Sequence, residues 1–261
     1  MKVWFIGAGP GDPELMTRKA WRILSQADVV LHDALMDIAG MQEAAPNAQW
    51  LEVGKRSGRP SVEQAFICRT LVTLAKRGLT LVRLKGGDPS IFGRLAEELQ
   101  ACRIENIEVE IIPGVTAACA AAADLQTSLT LRGESRSVVF VTPRLGKHEA
   151  NTHNEWLAAA MAAQTAVLYM AGAQAKDICS ALIEAGKPKQ TPICIVENAS
   201  RVGVRLKRSL LEVARHGLPT FEGPVTLLVG QALSFAQVQP IPLTGDSTER
   251  MSVLASQHAV A

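Results

Sequence analysis

Short runs of β-branched and other apolar residues alternate with longer amphipathic stretches along most of the chain, and this alternation restricts the fold more than any other feature. Residues 3–6, 28–31, 50–53, 79–84 and 107–112 read as buried strands, each bounded by turn residues. Helical periodicity fills the gaps. Over 62–77, Ile67, Leu71 and Leu74 share one face, Arg69, Thr73 and Arg77 another, and Gly78 supplies a C-terminal stop. Over 91–102 an apolar stripe of Leu95, Leu99 and Cys102 predicts another helix. Strand–helix–strand units of this spacing build a mostly parallel sheet with helices on both faces.

The pattern restarts after 123–136, where polar residues and Gly133 interrupt it. Residues 137–141, 166–170, 192–196, 202–207 and 225–229 predict further strands. Only five residues separate 192–196 from 202–207, too few for a helical crossover, so that pair is expected to be antiparallel and the second sheet mixed. The expected architecture is α/β: a parallel-sheet N-terminal lobe over 1–122, a mixed-sheet C-terminal lobe over 123–235, and an active site in the cleft between them. Periodicity is lost towards Pro240, Pro242 and Gly245, and 236–261 is expected to be a disordered tail.

Composition narrows the function. The 261 residues are 48% hydrophobic and 20% charged, enough for a packed core. Lys+Arg 27 against Asp+Glu 25 leaves +2, without the basic excess of a nucleic-acid-coating protein, and a single tyrosine offers no stacking platform. Cys68, Cys102, Cys119, Cys179 and Cys194 are scattered and read as small buried thiols, not as a disulfide framework or zinc site. His32, His148, His153, His216 and His258 show no metal-ligand spacing, so no metal is expected. The N-terminus reaches Gly7 too soon for a signal-peptide core, and no apolar run approaches membrane-spanning length. A cytoplasmic enzyme of small molecules, with neither nucleic-acid nor membrane partners, is expected.

The first predicted strand runs into Gly7-Ala8-Gly9-Pro10-Gly11-Asp12-Pro13, whose glycines allow close approach of a ligand to the backbone. Its spacing fits neither the dinucleotide fingerprint nor the P-loop, and a tight strand-to-helix turn accounts for it equally well. A second glycine turn, Arg83-Leu84-Lys85-Gly86-Gly87-Asp88-Pro89, follows the fourth strand and leads to Ile91 and Gly93-Arg94. A third, Ile112-Pro113-Gly114-Val115-Thr116-Ala117, opens a helix of small residues. The carboxyl ends of parallel strands share one edge of a sheet, where ligands bind. Together the blocks mark a candidate site.

With His32-Asp33-Ala34-Leu35, Gly54-Lys55-Arg56-Ser57-Gly58, Leu129-Thr130-Leu131-Arg132, Phe140-Val141-Thr142, Tyr169-Met170-Ala171-Gly172 and the stretch from Gly223-Pro224 to Gly230, these blocks resemble the tetrapyrrole methyltransferases in register over residues 1–235. The likeness is greatest to members that methylate uroporphyrinogen III with S-adenosylmethionine. It implies a folded methyl donor in the cleft, contacted by Pro10, Gly86, Gly87, Asp88, Ile91, Thr116, Ala117, Met170 and Ala199. Gly86 and Gly87 would offer backbone hydrogen bonds, Asp88 a ribose or amino-group acceptor, and Ile91 and Met170 an adenine sandwich. It also implies Asp33 and Lys55 as the acid–base pair, methylation at C2 and C7 to precorrin-2 through precorrin-1 for siroheme or cobalamin synthesis, and a homodimer.

A macrocycle bearing many carboxylates needs arginines at its rim, and Arg56, Arg83, Arg94 with Glu97, and Arg132 are the candidates. Plainer readings stand beside these roles: a turn cap for Asp33, a solvated charge for Lys55, a core side chain for Met170, and an i, i+3 surface pair for Arg94 and Glu97. The chain departs from the family's pattern at Ser90, Leu95-Ala96, Leu131 and Pro143-Arg144, positions on the substrate side. The rival readings are therefore a later corrin-ring methyltransferase of the same fold and a donor-binding paralogue with little catalysis. The dehydrogenase–chelatase portion of fused siroheme synthases has no counterpart in the sequence.

Overall fold

The structure, a computed structural model, describes residues 1–33, 36, 38–53, 64–143, 155–218 and 220–238. β1 (Lys2–Gly7), β2 (Val29–His32), β3 (Gln49–Glu52), β4 (Leu81–Lys85) and β5 (Glu108–Ile112) form a five-stranded sheet in the order β3-β2-β4-β1-β5. Every pairing in it is parallel. Successive side chains of a strand point to opposite faces, and β1 shows the consequence. Val3 and Phe5 pack with Ile67, Leu71 and Leu74 of α3 (Gln64–Ala75) and Leu95 and Cys102 of α4 (Leu95–Ile104). Ile6 instead joins Ala20, Ile23 and Leu24 of α1 (Arg18–Leu24) and Met41 of α2 (Ile38–Gln42).

The second sheet contains β6 (Val138–Val141), β7 (Thr165–Tyr169), β8 (Pro192–Glu197), β9 (Arg205–Leu210) and β10 (Val225–Gly230), in the order β6-β7-β10-β8-β9. β6 and β7 are parallel and the other pairs antiparallel, including the expected β8–β9 pair. α6 (Glu155–Ala162), α7 (Ala175–Glu184) and α8 (Leu211–Ala214) cover one face. The other face receives Ala118, Ala120 and Ala121 of α5 (Ala117–Asp124), which pack with Val167, Cys194, Val196 and Leu228. Alanines let this helix lie close against the sheet.

Several expectations need correction. The expected lobe boundary between residues 122 and 123 falls inside α5, whose Ala118, Ala120 and Ala121 already pack with the second sheet. The helix expected from residue 91 starts at Leu95, because Phe92 and Arg94 take left-handed backbone with φ of 52° and 53°. The strand expected over 202–207 runs from Arg205 to Leu210, displaced by a loop with positive φ at Asn198, Ser200 and Gly203. Cys102, Cys179 and Cys194 are buried as expected, but Cys119 is exposed. Ala236 is buried and the Gln237 N–H donates to the Leu125 carbonyl, so the first residues of the expected tail pack on the second lobe. The rest of it, 239–261, lies outside the described residues. No described helix is long and apolar enough to cross a membrane.

Candidate active site

The three glycine turns meet at the carboxyl edge of the parallel sheet. Gly9 and Gly87 form a two-residue bridge, with N–H to carbonyl distances of 3.2 and 2.7 Å, and the Ala8 N–H donates to the Lys85 carbonyl at 2.8 Å. Gly7 and Gly114 pack backbone to backbone: a Cβ on Gly114 would stand 2.3 Å from the Gly87 oxygen and 2.8 Å from the Gly7 Cα. Gly87 has φ of +68°, which favours glycine on conformational grounds. Gly86 differs, since a Cβ there would meet only the Met36 Cγ, at 3.9 Å.

Above these turns lies a cleft of about 410 Å³ shared by both lobes, a volume typical of small-molecule sites. Pro10, Gly86, Gly87, Asp88, Ile91, Thr116, Ala117, Met170 and Ala199, the residues the resemblance assigned to the donor, all line it. Phe92 and Met170, two large apolar side chains that line it, are 41% and 47% exposed. Met170 has φ of 55°. Strained backbone of this kind clusters at functional sites, and it takes Met170 out of the core role that its strand-end position allowed.

Asp88 is fastened where it stands. Its Oδ1 accepts from the Ser90 N–H at 2.8 Å and the Ser90 hydroxyl, and its Oδ2 accepts from the Gly114 N–H at 3.0 Å. Partial burial opposes ionisation, but these donors outweigh it and hold the carboxyl below its usual range. Oδ1 is thus engaged twice, while Oδ2 keeps a second lone pair for a ligand. Tyr169, which the sequence reading passed over as a site residue, also lines the cleft. Its hydroxyl lies 2.6 Å from Thr116 Oγ1 and accepts from the Ala118 N–H at 3.2 Å, capping α5 where no local side chain does. Burial pushes this phenol up, only partly offset by the Thr116 and Ala118 hydrogen bonds.

In the wall of the cleft lies a buried charge array whose members Lys85 and Glu98 no sequence motif singled out. Arg83 and Glu98 are each 1% exposed at the side chain and meet through Nε–Oε2 and Nη2–Oε1 hydrogen bonds of 3.1 Å. Lys85 Nζ donates to Glu98 Oε1 at 2.9 Å and Gln64 Nε2 to the same oxygen at 3.1 Å. Arg83 Nη2 also donates to Asp33 Oδ1 at 2.6 Å. Burial, then the like charge of Arg83, lowers the Lys85 pKa against the pull of Glu98 and Asp33. Breaking one buried pair of this kind costs about 3–5 kcal/mol.

The other expected site residues divide clearly. Asp33 lines the cleft, and so does Arg94, whose guanidinium is held by Glu97 through bonds of 2.8 and 2.7 Å. Glu97 itself stands behind Arg94 and off the cleft wall. Arg83 also lines the cleft, but its side chain is buried and every N–H is occupied within the protein. Arg132 is exposed in the turn closed by Leu131 and Ser135, apart from the lining. Lys55 and Arg56 lie outside the described residues. Across the mouth, Arg201 Nε donates to the Pro10 carbonyl at 3.0 Å and the Asp12 N–H to Ser200 Oγ at 3.4 Å, joining the first glycine turn to the second lobe. Among the described residues no cluster of His, Cys, Asp and Glu could hold a metal ion.

Residues 2–214 match the family model of the Tetrapyrrole (Corrin/Porphyrin) Methylases. The chain belongs to this family. Among its curated tetrapyrrole-methylase relatives, the uroporphyrinogen-III C-methyltransferase of Pseudomonas aeruginosa is 41% identical over 249 residues, covering 93% of this chain and 98% of that one. A crystal structure of uroporphyrin-III C-methyl transferase from Thermus thermophilus, complexed with S-adenyl homocysteine, superposes with a TM-score of 0.77 at 33% identity, covering 89% and 99% of the two chains. A cobalt precorrin-4 methyltransferase superposes equally well, TM-score 0.77, at 28% identity over 89% of this chain and 96% of that one. The tetrapyrrole-methylase fold is thus common to relatives that act on different macrocycles.

Proposed function

We propose that the chain transfers methyl groups from S-adenosylmethionine to carbon atoms of uroporphyrinogen III, at C2 and C7, giving precorrin-2 through precorrin-1. The observation that carries this reading is the gathering, in one cleft, of every residue expected to hold the donor, from both lobes. Their chemistry fits the group. Gly86 leaves room for backbone contact, Asp88 Oδ2 keeps a lone pair for a polar hydrogen, and the exposed faces of Ile91, Phe92 and Met170 suit a flat apolar ring. When bound, the sulfonium supplies an electrophilic methyl group.

The remaining work falls to positioning and to one proton. A pyrrole carbon gains nucleophilicity as density leaves the ring N–H, and the Asp33 carboxylate is placed on the cleft to accept that hydrogen bond or proton. Lys55, on the resemblance, is its partner. Arg94, steadied by Glu97, is the proposed rim cation for a propionate or acetate; Arg56 and Arg132 join it on the resemblance alone. The favoured substrate follows from the 41% identity to the Pseudomonas enzyme, and the second reading, a later corrin-ring methyltransferase, from the equal superposition on the cobalt precorrin-4 enzyme.

Incubating the purified protein with uroporphyrinogen III and methyl-labelled donor under reducing conditions tests this. Two labelled methyl groups per macrocycle are expected. Label entering only a more highly methylated corrinoid would favour the second reading, and donor binding with no transfer to any tetrapyrrole would leave a binding paralogue.

A further inference from the structure

The buried members of the charge array in the cleft wall have no task in the chemistry proposed so far, yet they hold Asp33, the one member well exposed to the site. Of its ionisable side chains, Asp33 is 32% exposed, while Arg83, Lys85 and Glu98 are between 1% and 3%. A guanidinium carries five N–H donors in a fixed plane, and each one on Arg83 has an acceptor. Nε and one Nη2 hydrogen go to Glu98, the other Nη2 hydrogen goes to Asp33 Oδ1, and Nη1 serves the carbonyls of Leu31 and Leu84 at 3.4 and 3.1 Å. The fork can therefore neither rotate nor slide without abandoning a buried partner. Glu98 is fixed in turn by Lys85 and Gln64. The two cations and two anions balance, so the array asks for no counter-ion from the ligand.

The geometry points to Arg83 and Glu98 as positioning residues for Asp33: they pin one carboxylate oxygen and leave the other, which has no hydrogen-bond partner among the described residues, to meet the pyrrole N–H. The inference rests on reading Asp33 as the group that faces the reacting pyrrole. A free aspartate would have to be oriented at each turnover, whereas one tethered to an immobile fork enters the reaction already aligned. Arg83 and Glu98 border the cleft with 1% of their side chains exposed, and in this role they act through Asp33.

A kinetic double-mutant cycle on the full chain tests it. Arg83→Met/Glu98→Gln removes one cation and one anion together and leaves Lys85 balanced against Asp33. With uroporphyrinogen III its kcat should fall about tenfold or more, with KM and the calorimetric affinity for S-adenosylhomocysteine within about twofold of wild type. Asp33→Asn should cost a similar factor, and adding it to the pair should cost nothing further, because both changes disable one carboxylate. Should the paired variant not fold, Arg83→Lys, which keeps the charge but not the fork, takes its place in the same cycle. A folded, donor-binding variant with wild-type kcat, or losses that multiply with Asp33→Asn, would overturn the inference. A wild-type protein that methylates no uroporphyrinogen III overturns the proposed function, and this inference with it, before any variant is made.

Discussion

Gly86 and Gly114 stand in neighbouring turns and meet opposite surroundings. A side chain at Gly86 would enter the open cleft, whereas one at Gly114 would strike the Gly87 carbonyl at 2.3 Å. Gly86→Val should therefore weaken S-adenosylhomocysteine binding by about tenfold or more with little change in melting temperature, and Gly114→Ala should lower the melting temperature by several degrees. Calorimetry and thermal melts on the two proteins separate ligand approach from packing; equal losses in both measurements would mean that Gly86 is structural too. Gly87→Val is a less selective probe, since its φ of +68° adds backbone strain to any obstruction. The glycine turns were legible as a site, but which glycine faces ligand and which faces backbone was not, because that depends on contacts between turns remote in sequence. Glu98 was half legible. It lies three residues after Leu95 and four before Cys102, so it interrupts the buried stripe of α4 with a charge, and Arg83 and Lys85 likewise place charges on a central parallel strand. Such intrusions announce a buried pair. The partner cannot be chosen from sequence, since Glu97 and Glu98 stand equally near Arg94.

At the scale of elements, the strands' positions could be anticipated because each apolar run is local, and their polarity from the connection lengths, whereas strand order and the exact ends could not. α4 starts late because Phe92 and Arg94 are held at positive φ without glycine to signal it, and β9 starts late because the loop with positive φ at Asn198, Ser200 and Gly203 runs on to Val204. The β8–β9 region carries a further consequence. Glu197, at the end of β8 and 1% exposed, accepts from the Glu222 and Gly223 N–H groups at 2.6 Å and pairs with Arg205. Burial opposes its charge, but those donors outweigh burial and hold the carboxyl below the usual 4.5. The unfolded chain thus takes up this proton at higher pH than the folded one. The stabilisation is complete above the ordinary glutamate value and is lost as pH falls through the lowered one. Glu197→Gln should melt lower than wild type near neutrality and converge with it as the pH falls below the ordinary glutamate range, as read by melting curves across that range. A constant gap would show that Glu197 contributes only shape. In α5, Ala121 is fully buried against the second sheet, and Ala121→Leu should cost about 1–3 kcal/mol by overpacking, measurable by urea denaturation.

For the whole molecule, the two-lobed design was readable from the restart of the strand–helix pattern, but the fastening between lobes was not, since it runs through loops. Arg201 reaches from the β8–β9 loop to the Pro10 carbonyl, and Ser200 is held in turn by Asp124, whose Oδ2 accepts its N–H at 2.8 Å. Pro10 and Ala199 both line the cleft, so Arg201→Ala should weaken donor affinity by about tenfold; a lowered melting temperature with unchanged affinity would reduce the clasp to a brace. The proposed homodimer has its support in exposed apolar side chains such as Phe235, at 69%, and Val213, at 58%, and sedimentation at micromolar concentration should give twice the chain's mass. The meeting of Gly7, Gly87 and Gly114 has a genetic corollary. Most packing defects admit a compensating change, because a neighbour can shrink. Here the atoms that a new methyl group would strike belong to main chain, and main chain cannot be pared away. A selection for restored activity in a Gly114→Ala strain should return true revertants at codon 114, and suppressors at positions 7 and 87 should not be found.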